Sequence, residues 1–431
     1  MLEQRWRNTV AAHPHAVALR EAATGRSWTF ASLAAAADAV ALPADDRPVF
    51  PCGAGSEFIL QLLRAWRAGR VVCPLEPGQV EPAIPAPPPG IAHLKLTSGT
   101  TGRAKCVAFS AAQLAADADQ IVATMGLHRG APNLGVISLA HSYGFSSLVL
   151  PLLLHGIPLL LAPSPLPAAV LSAAEWSGEA ALTLPAVPAM WRAWHEAKAI
   201  PRNVRLAISA GAVLPLNLEA DVFAQWGLKL HNFLGASECG GIAYDRSTVP
   251  RTDPALVGEA MAGVRLACAD DGRLEVRGAA VGTGYWPEPS ENLSAGRYVA
   301  GDLAEIGPDG RVFLRGRAGD VINVAGRKVM PEVIEAALRA HPGVRECLVL
   351  GLPAEASRGE AIAAVVAGSP ELDENSLRDF LLARLPAWQV PRRWLLEPAL
   401  TASHRGKLSR AEWRQKLLAE PLPATGPVSG S

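Results

Sequence analysis

The sequence predicts an α/β protein with a large N-terminal domain of packed α/β subdomains and a small α+β C-terminal domain. Its 431 residues are more than one hydrophobic core usually organises, so at least two domains are expected. Short apolar strand candidates alternate with alanine-rich helix candidates along most of the chain, which is typical of a largely buried sheet. The pattern changes after Gly316, so the domains are predicted to span residues 1–316 and 317–431.

The elements of the N-terminal domain are predicted from its apolar runs. Two stretches rich in alanine or leucine are helix candidates, residues 31–40 and 57–66. The strand candidates are short apolar runs, residues 71–74, 91–96, 135–139, 182–184 and 204–209. The proline-rich residues 81–90 predict an extended linker, because prolines cannot donate the hydrogen bonds of a β-ladder.

The C-terminal domain is predicted to begin with a short amphipathic helix. Pro331 suits a first helical turn, and the apolar residues after it share one face: Ile334, Ala337 and Leu338. Two strand candidates follow, residues 347–352 and 361–366. Asp373 can cap a second helix, which is predicted to run to Pro386 and carries the apolar stripe Leu377, Phe380, Leu381 and Leu385. The composition after residue 420 predicts disorder.

Composition favours small-molecule chemistry. The 40 basic and 40 acidic side chains cancel, which gives no basis for a nucleic-acid or anionic-membrane surface. Apolar runs at residues 148–154 and 157–162 are too short to span a bilayer and predict buried strand and helix. The six cysteines have neither CxxC nor paired spacing, and no secretory signal follows Met1. A cytoplasmic protein with reduced thiols is therefore expected.

Residues 96–105 read Leu-Thr-Ser-Gly-Thr-Thr-Gly-Arg-Ala-Lys and predict a phosphate-binding loop. Glycines let backbone N–H groups approach an anion, hydroxyls donate hydrogen bonds, and a lysine adds positive charge. The predicted ligands are Thr97, Ser98, Gly99, Thr100, Thr101, Gly102 and Lys105. The loop is not a Walker motif, because the lysine lies three residues after Gly102 and no Ser or Thr follows it. Taken alone, the segment is also compatible with an ordinary turn.

Together with other segments in the same order, this loop resembles the adenylate-forming superfamily. That superfamily includes acyl- and aryl-CoA synthetases, luciferases and the adenylation domains of peptide synthetases. The matching segments are Trp28-Thr29-Phe30, residues 63–77, His141-Ser142-Tyr143-Gly144, Ser209-Ala210-Gly211-Ala212, Leu234-Gly235-Ala236-Ser237-Glu238, Gly301-Asp302, Gly316-Arg317, residues 326–335 and Gly406-Lys407. The chain is most similar to a compact acyl- or aryl-CoA ligase.

The resemblance implies a reaction and a set of site residues. The family uses ATP and Mg²⁺ to convert a carboxylic acid into an acyl-adenylate and then passes the acyl group to a thiol. It implies that Glu238 and Thr101 hold Mg²⁺, that Asp302 and Arg317 contact the ribose, and that Lys407 reaches the carboxylate and the α-phosphate. His141 is a further catalytic candidate, and the other implied nucleotide contacts are Asn232, Phe233, Leu234, Gly235 and Ser237.

Departures from the family pattern affect the base contact and the C-terminal domain. Leu234 stands where an aromatic residue commonly stacks on adenine, so this stacking is either lost or supplied by Phe233. The resemblance implies that the C-terminal domain is a mobile lid with its hinge near Gly319, where the family usually has a charged residue. It also implies that Gly326 lines the tunnel for the pantetheine of coenzyme A, although a simple turn glycine is the alternative.

The acid pocket implied by the resemblance consists of small and apolar residues: His141, Tyr143, Val187, Pro188, Gly211, Ala212, Gly235 and Ala236. Amino-acid adenylation domains have an aspartate where this chain has His141-Ser142-Tyr143, which favours an acid without an α-amino group. No carrier-protein segment follows the C-terminal domain in this sequence, so coenzyme A is the expected acceptor. A ligase that loads a separate acyl carrier protein and a non-catalytic nucleotide-binding relative remain the alternatives.

Overall fold

The chain forms two compact units of mixed α/β structure, as the sequence predicts. The computed structural model describes residues 1–42, 45–97, 105–354, 359–400 and 410–419. The N-terminal unit comprises Met1–Ala300 and Glu305–Phe313, and the C-terminal unit comprises Gly301–Ala304 and Leu314–Ser431. The boundary at residues 316 and 317 and the motion of a lid remain predictions.

The N-terminal unit contains nine α-helical segments among its described residues, and side-chain caps begin three of them. They are α1 (Leu2–Ala12), α2 (Phe30–Asp38), α3 (Ser56–Arg67), α4 (Ala111–Met125), α5 (Ser142–Gly144), α6 (Leu150–His155), α7 (Pro167–Glu175), α8 (Pro188–Glu196) and α9 (Leu216–Trp226). Reciprocal side-chain caps start α2, through Thr29 and Ser32, and α4, through Ser110 and Gln113, and a single side-chain cap starts α5. A π-helical turn, Phe145–Val149, connects α5 to α6.

The strands of the first half of the N-terminal unit are β1 (Val17–Glu21), β2 (Arg26–Thr29), β3 (Ile91–Thr97), β4 (Lys105–Ser110), β5 (Asn133–Gly135), β6 (Leu159–Leu161), β7 (Leu182–Ala186), β8 (Val204–Ser209) and β9 (Leu230–Ala236). Those of the second half are β10 (Gly240–Tyr244), β11 (Leu256–Ala260), β12 (Arg265–Cys268), β13 (Arg273–Arg277), β14 (Gly284–Trp286) and β15 (Leu293–Ser294). The last two strands, β16 (Arg297–Ile306) and β17 (Arg311–Arg317), each contribute residues to both units.

One large sheet organises this unit. Strands β1, β6, β5, β7, β8 and β9 lie side by side in that order and run parallel, and β10 and β11 continue the sheet antiparallel beyond β9. Strands β14, β4 and β3 form a separate antiparallel sheet. The carboxyl ends of β7, β8 and β9 therefore meet at one edge, where open α/β sheets commonly bind ligands.

The core explains why the parallel strands are continuous apolar runs. Residues of β7, β8 and β9 pack with α7, α8 and α9 in one buried cluster. Trp191 and Trp194 on α8 are fully buried in it, with ring centroids 5.1 Å apart in a T-shaped arrangement. Both faces of these strands are covered, so an apolar–polar alternation would leave polar groups without water.

The C-terminal unit is an α+β fold, as predicted. Its elements are β18 (Ile322–Val324), β19 (Arg327–Val329), α10 (Pro331–Arg339), β20 (Val344–Pro353), β21 (Glu360–Gly368), α11 (Glu374–Leu382), β22 (Arg393–Glu397) and α12 (Arg410–Ala419). Pro331 opens α10, and Asp373 caps α11 by accepting the Ser376 N–H. Strands β20, β21 and β22 form a three-stranded sheet.

Several predicted boundaries differ from the structure. Residues 71–74 form only isolated bridges at Val72, one of them to His93 on β3. Strand β5 ends at Gly135 instead of running to residue 139, because the following residues turn toward α5. Of the two apolar runs predicted to be buried strand and helix, the run at 148–154 is helical and the run at 157–162 contains β6. Helix α11 ends at Leu382, four residues before Pro386.

No helix among the described residues is long and apolar enough to cross a membrane. No disulfide joins any of the six cysteines, all of which lie within the described ranges. The residues after 420, for which disorder is predicted, lie outside those ranges.

Candidate active site

The predicted phosphate loop joins two antiparallel strands. Thr97 at the end of β3 pairs with Lys105 at the start of β4, so the two ends of the loop lie opposite each other. Lys105 is thereby held at the base of the loop by a β-ladder. The predicted ligands Ser98, Gly99, Thr100, Thr101 and Gly102 and the side chain of Thr97 lie outside the described part of the chain.

A tyrosine that the sequence analysis missed connects Lys105 to Glu238. The Lys105 ammonium lies 3.9 Å from the centroid of the Tyr285 ring, and the Tyr285 hydroxyl donates a hydrogen bond of 2.8 Å to Glu238 Oε1. Burial and the Glu238 charge raise the pKa of Tyr285 well above its usual value, so the hydroxyl remains a donor at neutral pH. Lys105 and Glu238, which are predicted to bind the triphosphate and its Mg²⁺, thus contact the same tyrosine, Lys105 at the ring face and Glu238 at the hydroxyl.

Glu238 lies in the tight connection between β9 and β10. Ala236 pairs with Gly240 across this connection, and the Glu238 carbonyl accepts the Gly282 N–H at 2.8 Å. The neighbouring Ser237 hydroxyl accepts a hydrogen bond from Ser142 Oγ at 3.0 Å. Two segments that are far apart in the sequence, the one around His141 and the one around Glu238, are therefore joined directly.

The predicted acid-pocket residues gather at the carboxyl ends of neighbouring strands. Val187 and Pro188 follow β7, Gly211 and Ala212 follow β8, and Gly235 lies at the end of β9. The register pairs Ala186 with Ser209 and Ser209 with Asn232, so these ends are level.

Gly211 is required by the backbone at this edge. Its φ is +86°, and a Cβ there would lie 3.3 Å from Val187 Cγ1. Gly211, Ala212 and Gly235 are exposed, so small side chains border an open surface.

Tyr143 crosses the ends of β7 and β8. Its hydroxyl lies 3.5 Å from the Ala186 carbonyl oxygen and 3.4 Å from that of Ile208, and its ring centroid is 5.9 Å from that of Phe233. Burial raises the pKa of Tyr143 well above its usual range, which keeps it a neutral donor. The half-buried Tyr143 therefore places an aromatic ring at the strand ends, with the buried Phe233 packed against it.

His141 caps the short helix α5. Its Nδ1 accepts the Tyr143 backbone N–H at 3.3 Å, so the proton of the neutral ring lies on Nε2. The side chain is exposed, and Nε2 can donate to a ligand oxygen.

The three residues of β9 that are predicted to lie near the adenine base differ in their exposure. Asn232 and Phe233 are buried in β9, and Phe233 packs in an apolar cluster with only 6% of its surface exposed. A ring so enclosed has little surface left to stack on a purine. Leu234 is half-buried, and its aliphatic side chain alternates with Phe233 along the strand.

In the C-terminal unit, the two predicted ribose contacts are neighbours. Arg317 Nε donates to Asp302 Oδ1 at 3.1 Å. Gly326 lies in the hairpin between β18 and β19 with a φ of +85°, and its N–H donates to Asn323 Oδ1 at 2.9 Å. Gly319 lies in a 3₁₀ turn with open space around it. Lys407 lies outside the described residues.

Asp117 and Lys95 are two further buried charges that the sequence analysis missed. Lys95 lies in the middle of β3 and Asp117 in the middle of α4, with Nζ and Oδ2 3.9 Å apart. A lysine inside a strand whose other residues are mostly apolar is the available sequence signal for this site, because such a charge needs a partner when buried.

Comparisons with known proteins identify two matching regions. Residues 61–286 match the model of the AMP-binding enzyme family, and residues 333–407 match the model of the AMP-binding enzyme C-terminal domain. The first region alone is more than half of the chain.

The chain is similar to curated acid–CoA ligases. It is 28% identical over 359 residues to feruloyl-CoA synthase from Amycolatopsis, with coverage of 78% of this chain and 72% of that protein. It is 31% identical over 357 residues to the long-chain-fatty-acid–CoA ligase of Escherichia coli O157:H7, with coverage of 76% and 62%. The chain thus spans less than two thirds of the second relative.

Solved structures support the fold. The structure of ATP-bound MatB from Rhodopseudomonas palustris superimposes with a TM-score of 0.84, at 22% identity, over 97% of this chain and 99% of that one. At this identity the likeness concerns the architecture alone.

Proposed function

Because the chain belongs to the AMP-binding enzyme family, we propose that it activates a carboxylic acid with ATP and transfers the acyl group to coenzyme A. In the first step a carboxylate oxygen attacks the α-phosphorus, the bond to pyrophosphate breaks, and a mixed anhydride with AMP forms. In the second step the thiol sulfur attacks the acyl carbon, the thiol loses its proton, and AMP leaves. The products are the acyl-CoA, AMP and pyrophosphate.

The contact of Lys105 and Glu238 with Tyr285 carries this proposal. Lys105 lies at the base of the predicted phosphate loop, and Glu238 lies at the strand ends that border the acid pocket. A nucleoside triphosphate with its bound metal ion presents negative phosphate oxygens next to the positive charge of the metal. A lysine and a carboxylate separated by one aromatic ring match that distribution of charge.

Glu238 fits a magnesium ligand. Its side chain is half-buried, and Oε1 is oriented by the Tyr285 hydroxyl, which is a neutral donor. Mg²⁺ is usually held by one or two carboxylates together with phosphate oxygens and water, and it would neutralise charge on the triphosphate. Thr101 is the proposed second contact.

The other roles follow from the family and remain part of the proposal. Asp302 and Arg317 would bind the ribose, and Lys407 would stabilise the charge that develops at the α-phosphate. His141 could donate from Nε2 to a carboxylate or phosphate oxygen. Gly326 would line the pantetheine tunnel. The alternative is that it is only a turn residue, since its positive φ is by itself a sufficient reason for glycine at this position.

We propose an acid with an aromatic or apolar body. Tyr143 supplies aromatic surface, and Gly211, Ala212 and Gly235 are small and exposed beside it. The named substrates of the two curated relatives, an aromatic acid and a long-chain fatty acid, belong to this class.

Pyrophosphate release with a panel of aliphatic and aromatic acids tests the proposal. Each acid is assayed with ATP and Mg²⁺ alone, with coenzyme A, and with an acyl carrier protein. We expect release that depends on one class of acid and turnover that requires coenzyme A. Turnover only with the carrier protein would show that the acceptor is an acyl carrier protein and not coenzyme A. If no acid caused release of pyrophosphate or formation of AMP, the proposed activity would be refuted.

A Glu238→Gln variant tests the metal site in the same assay. The amide retains an oxygen for the Tyr285 hydroxyl but lacks the negative charge. We expect the rate of adenylate formation to fall on the order of 10²-fold, as for loss of one electrostatic contact in a transition state. Glu259→Gln, a half-buried glutamate on β11 that pairs with Arg246, is the matched control and should retain full activity.

A further inference from the structure

A buried aspartate outside the predicted site contacts three segments that build it. Asp117 on α4 is 2% exposed. Ser146 Oγ donates to its Oδ2 at 2.5 Å, the Gly241 backbone N–H donates to Oδ1 at 3.3 Å, and Lys95 Nζ lies 3.9 Å from Oδ2.

Each of these partners is close in sequence to a residue with a proposed role in the reaction. Lys95 is in the strand that leads into the phosphate loop, two residues before Thr97. Ser146 is in the π-helical turn directly after the His141 segment, and Gly241 is the second residue of β10, three residues after Glu238. The carboxylate of Asp117 is therefore a shared contact of β3, which leads into the phosphate loop, of the π-helical turn that follows the His141 segment, and of β10, which follows the Glu238 connection.

The backbone next to the Asp117 carboxylate requires a glycine. Gly240, next to Gly241, has a φ of +69°, and a Cβ there would lie 2.0 Å from Asp117 Oδ1. A side chain at this position would collide with the carboxylate. The close approach lets Oδ1 reach the N–H of the next residue.

Lys95 depends on Asp117 for its electrostatic balance. It is 5% exposed, its ammonium lies 4.5 Å from the Phe109 ring centroid, and among the described residues its Nζ has no hydrogen-bond partner. Burial lowers the pKa of Lys95, and the negative charge of Asp117 opposes that shift. The nearby His93 ring is fully buried against Phe145, with its pKa lowered by burial and by Lys95, so it adds no positive charge at neutral pH.

We propose that Asp117 is a positioning residue for adenylate formation, which aligns the phosphate-loop strand, the His141 segment and the Glu238 connection through one buried carboxylate. This inference rests on the proposed function. Asp117 contacts no substrate itself. It acts on the geometry of groups that do, and displacements of about 1 Å in such groups can reduce a rate by about 10²-fold.

Asp117→Asn is the first test. The variant preserves the shape and an oxygen for the Gly241 N–H, but it removes the charge opposite Lys95 and an acceptor for Ser146. The matched control is Glu219→Gln, another fully buried carboxylate, which pairs with Lys229 and Arg251 near the opposite end of β9. Both variants should lower the melting temperature, because each leaves a buried cation less well compensated.

The readouts separate positioning from stability. At a temperature well below both melting points, we expect Asp117→Asn to reduce the kcat of ATP–pyrophosphate exchange about 10- to 100-fold and to diminish the rise in melting temperature caused by MgATP. Glu219→Gln should keep exchange within about 3-fold of the wild type and keep the MgATP shift. Equal losses of exchange in both variants, or normal exchange and a normal shift in Asp117→Asn, would overturn the proposal.

A milder variant covers failure of Asp117→Asn to fold. Ser146→Ala removes one hydrogen bond to the carboxylate and leaves both charges in place, so the groups that Asp117 positions should shift less than in Asp117→Asn, and exchange should fall about 3- to 10-fold. Unchanged exchange in a folded Ser146→Ala protein would count against positioning. Absence of exchange in the wild-type protein with every acid would instead refute the proposed function, and the MgATP melting shift would still report on Asp117.

Discussion

Replacing Tyr285 with phenylalanine removes the hydroxyl that donates to Glu238 Oε1 at 2.8 Å and keeps the ring next to Lys105. A hydrogen bond to a charged group contributes about 1.5–3 kcal/mol. Both side chains are half-buried, which favours the lower end of that range. Since about 1.4 kcal/mol corresponds to tenfold in rate, adenylate formation should slow about 10-fold if the bond orients Glu238 for the transition state.

The assay is ATP–pyrophosphate exchange as a function of Mg²⁺ concentration. If Glu238 holds the metal ion, Tyr285→Phe should also raise the Mg²⁺ concentration needed for half-maximal rate. The raised pKa of Tyr285 keeps its hydroxyl protonated, so the loss should be constant between about pH 7 and 9. Tyr244→Phe, a buried tyrosine that stacks on His231, is the control and should change exchange little.

Two outcomes would refute this reasoning. Wild-type exchange and Mg²⁺ dependence in Tyr285→Phe would show that the hydroxyl does not orient Glu238 for catalysis. A loss of the same size in Tyr244→Phe would show that the rate reports general packing instead of this hydrogen bond.

Three further expectations can be measured independently. Lys407→Ala should reduce adenylate formation about 10²- to 10³-fold and largely spare transfer from a supplied acyl-adenylate to coenzyme A; equal loss of both half-reactions would contradict its proposed role. Gly240→Ala should lower the free energy of unfolding by about 2–4 kcal/mol, because strain at positive φ adds to the clash with Asp117, whereas Gly227→Ala, at positive φ with open space, should cost about 1 kcal/mol; denaturant titration of both variants decides it. Asp38→Asn should cost less than about 1 kcal/mol at pH 7, since its contact with Arg7 is partly exposed. That contact lowers the pKa of Asp38 to about 2, so its contribution to stability is complete above the usual value of 3.8 and is lost as pH falls through 2. If the free energies of unfolding of Asp38→Asn and the wild type differed by the same amount at pH 7 and at pH 2, this contribution of the Asp38 charge would be excluded.

Local sequence signals predicted the elements with distinct ends. Strand β8 begins and ends where its apolar run does, and Pro331 and Asp373 mark the starts of α10 and α11. Strand predictions from the sequence were less accurate where the formation of a strand depends on a partner strand elsewhere in the chain. Residues 71–74 are apolar enough for a strand, yet they form only single bridges, because no partner strand pairs along their length.

The sequence by itself determined the fold class, the order of the segments and the chemical types at the candidate site. A glycine-rich hydroxyl loop, a carboxylate after a small-residue strand and a lysine near the C-terminus are chemical properties that a linear pattern carries. Tertiary structure decided which side chains meet. Tyr285 lies between Lys105 and Glu238 only because β14 pairs with β4, and Asp117 reaches Lys95, Ser146 and Gly241 only because α4 packs between their segments. Contacts between distant residues arise from packing, and no local spacing along the chain encodes them.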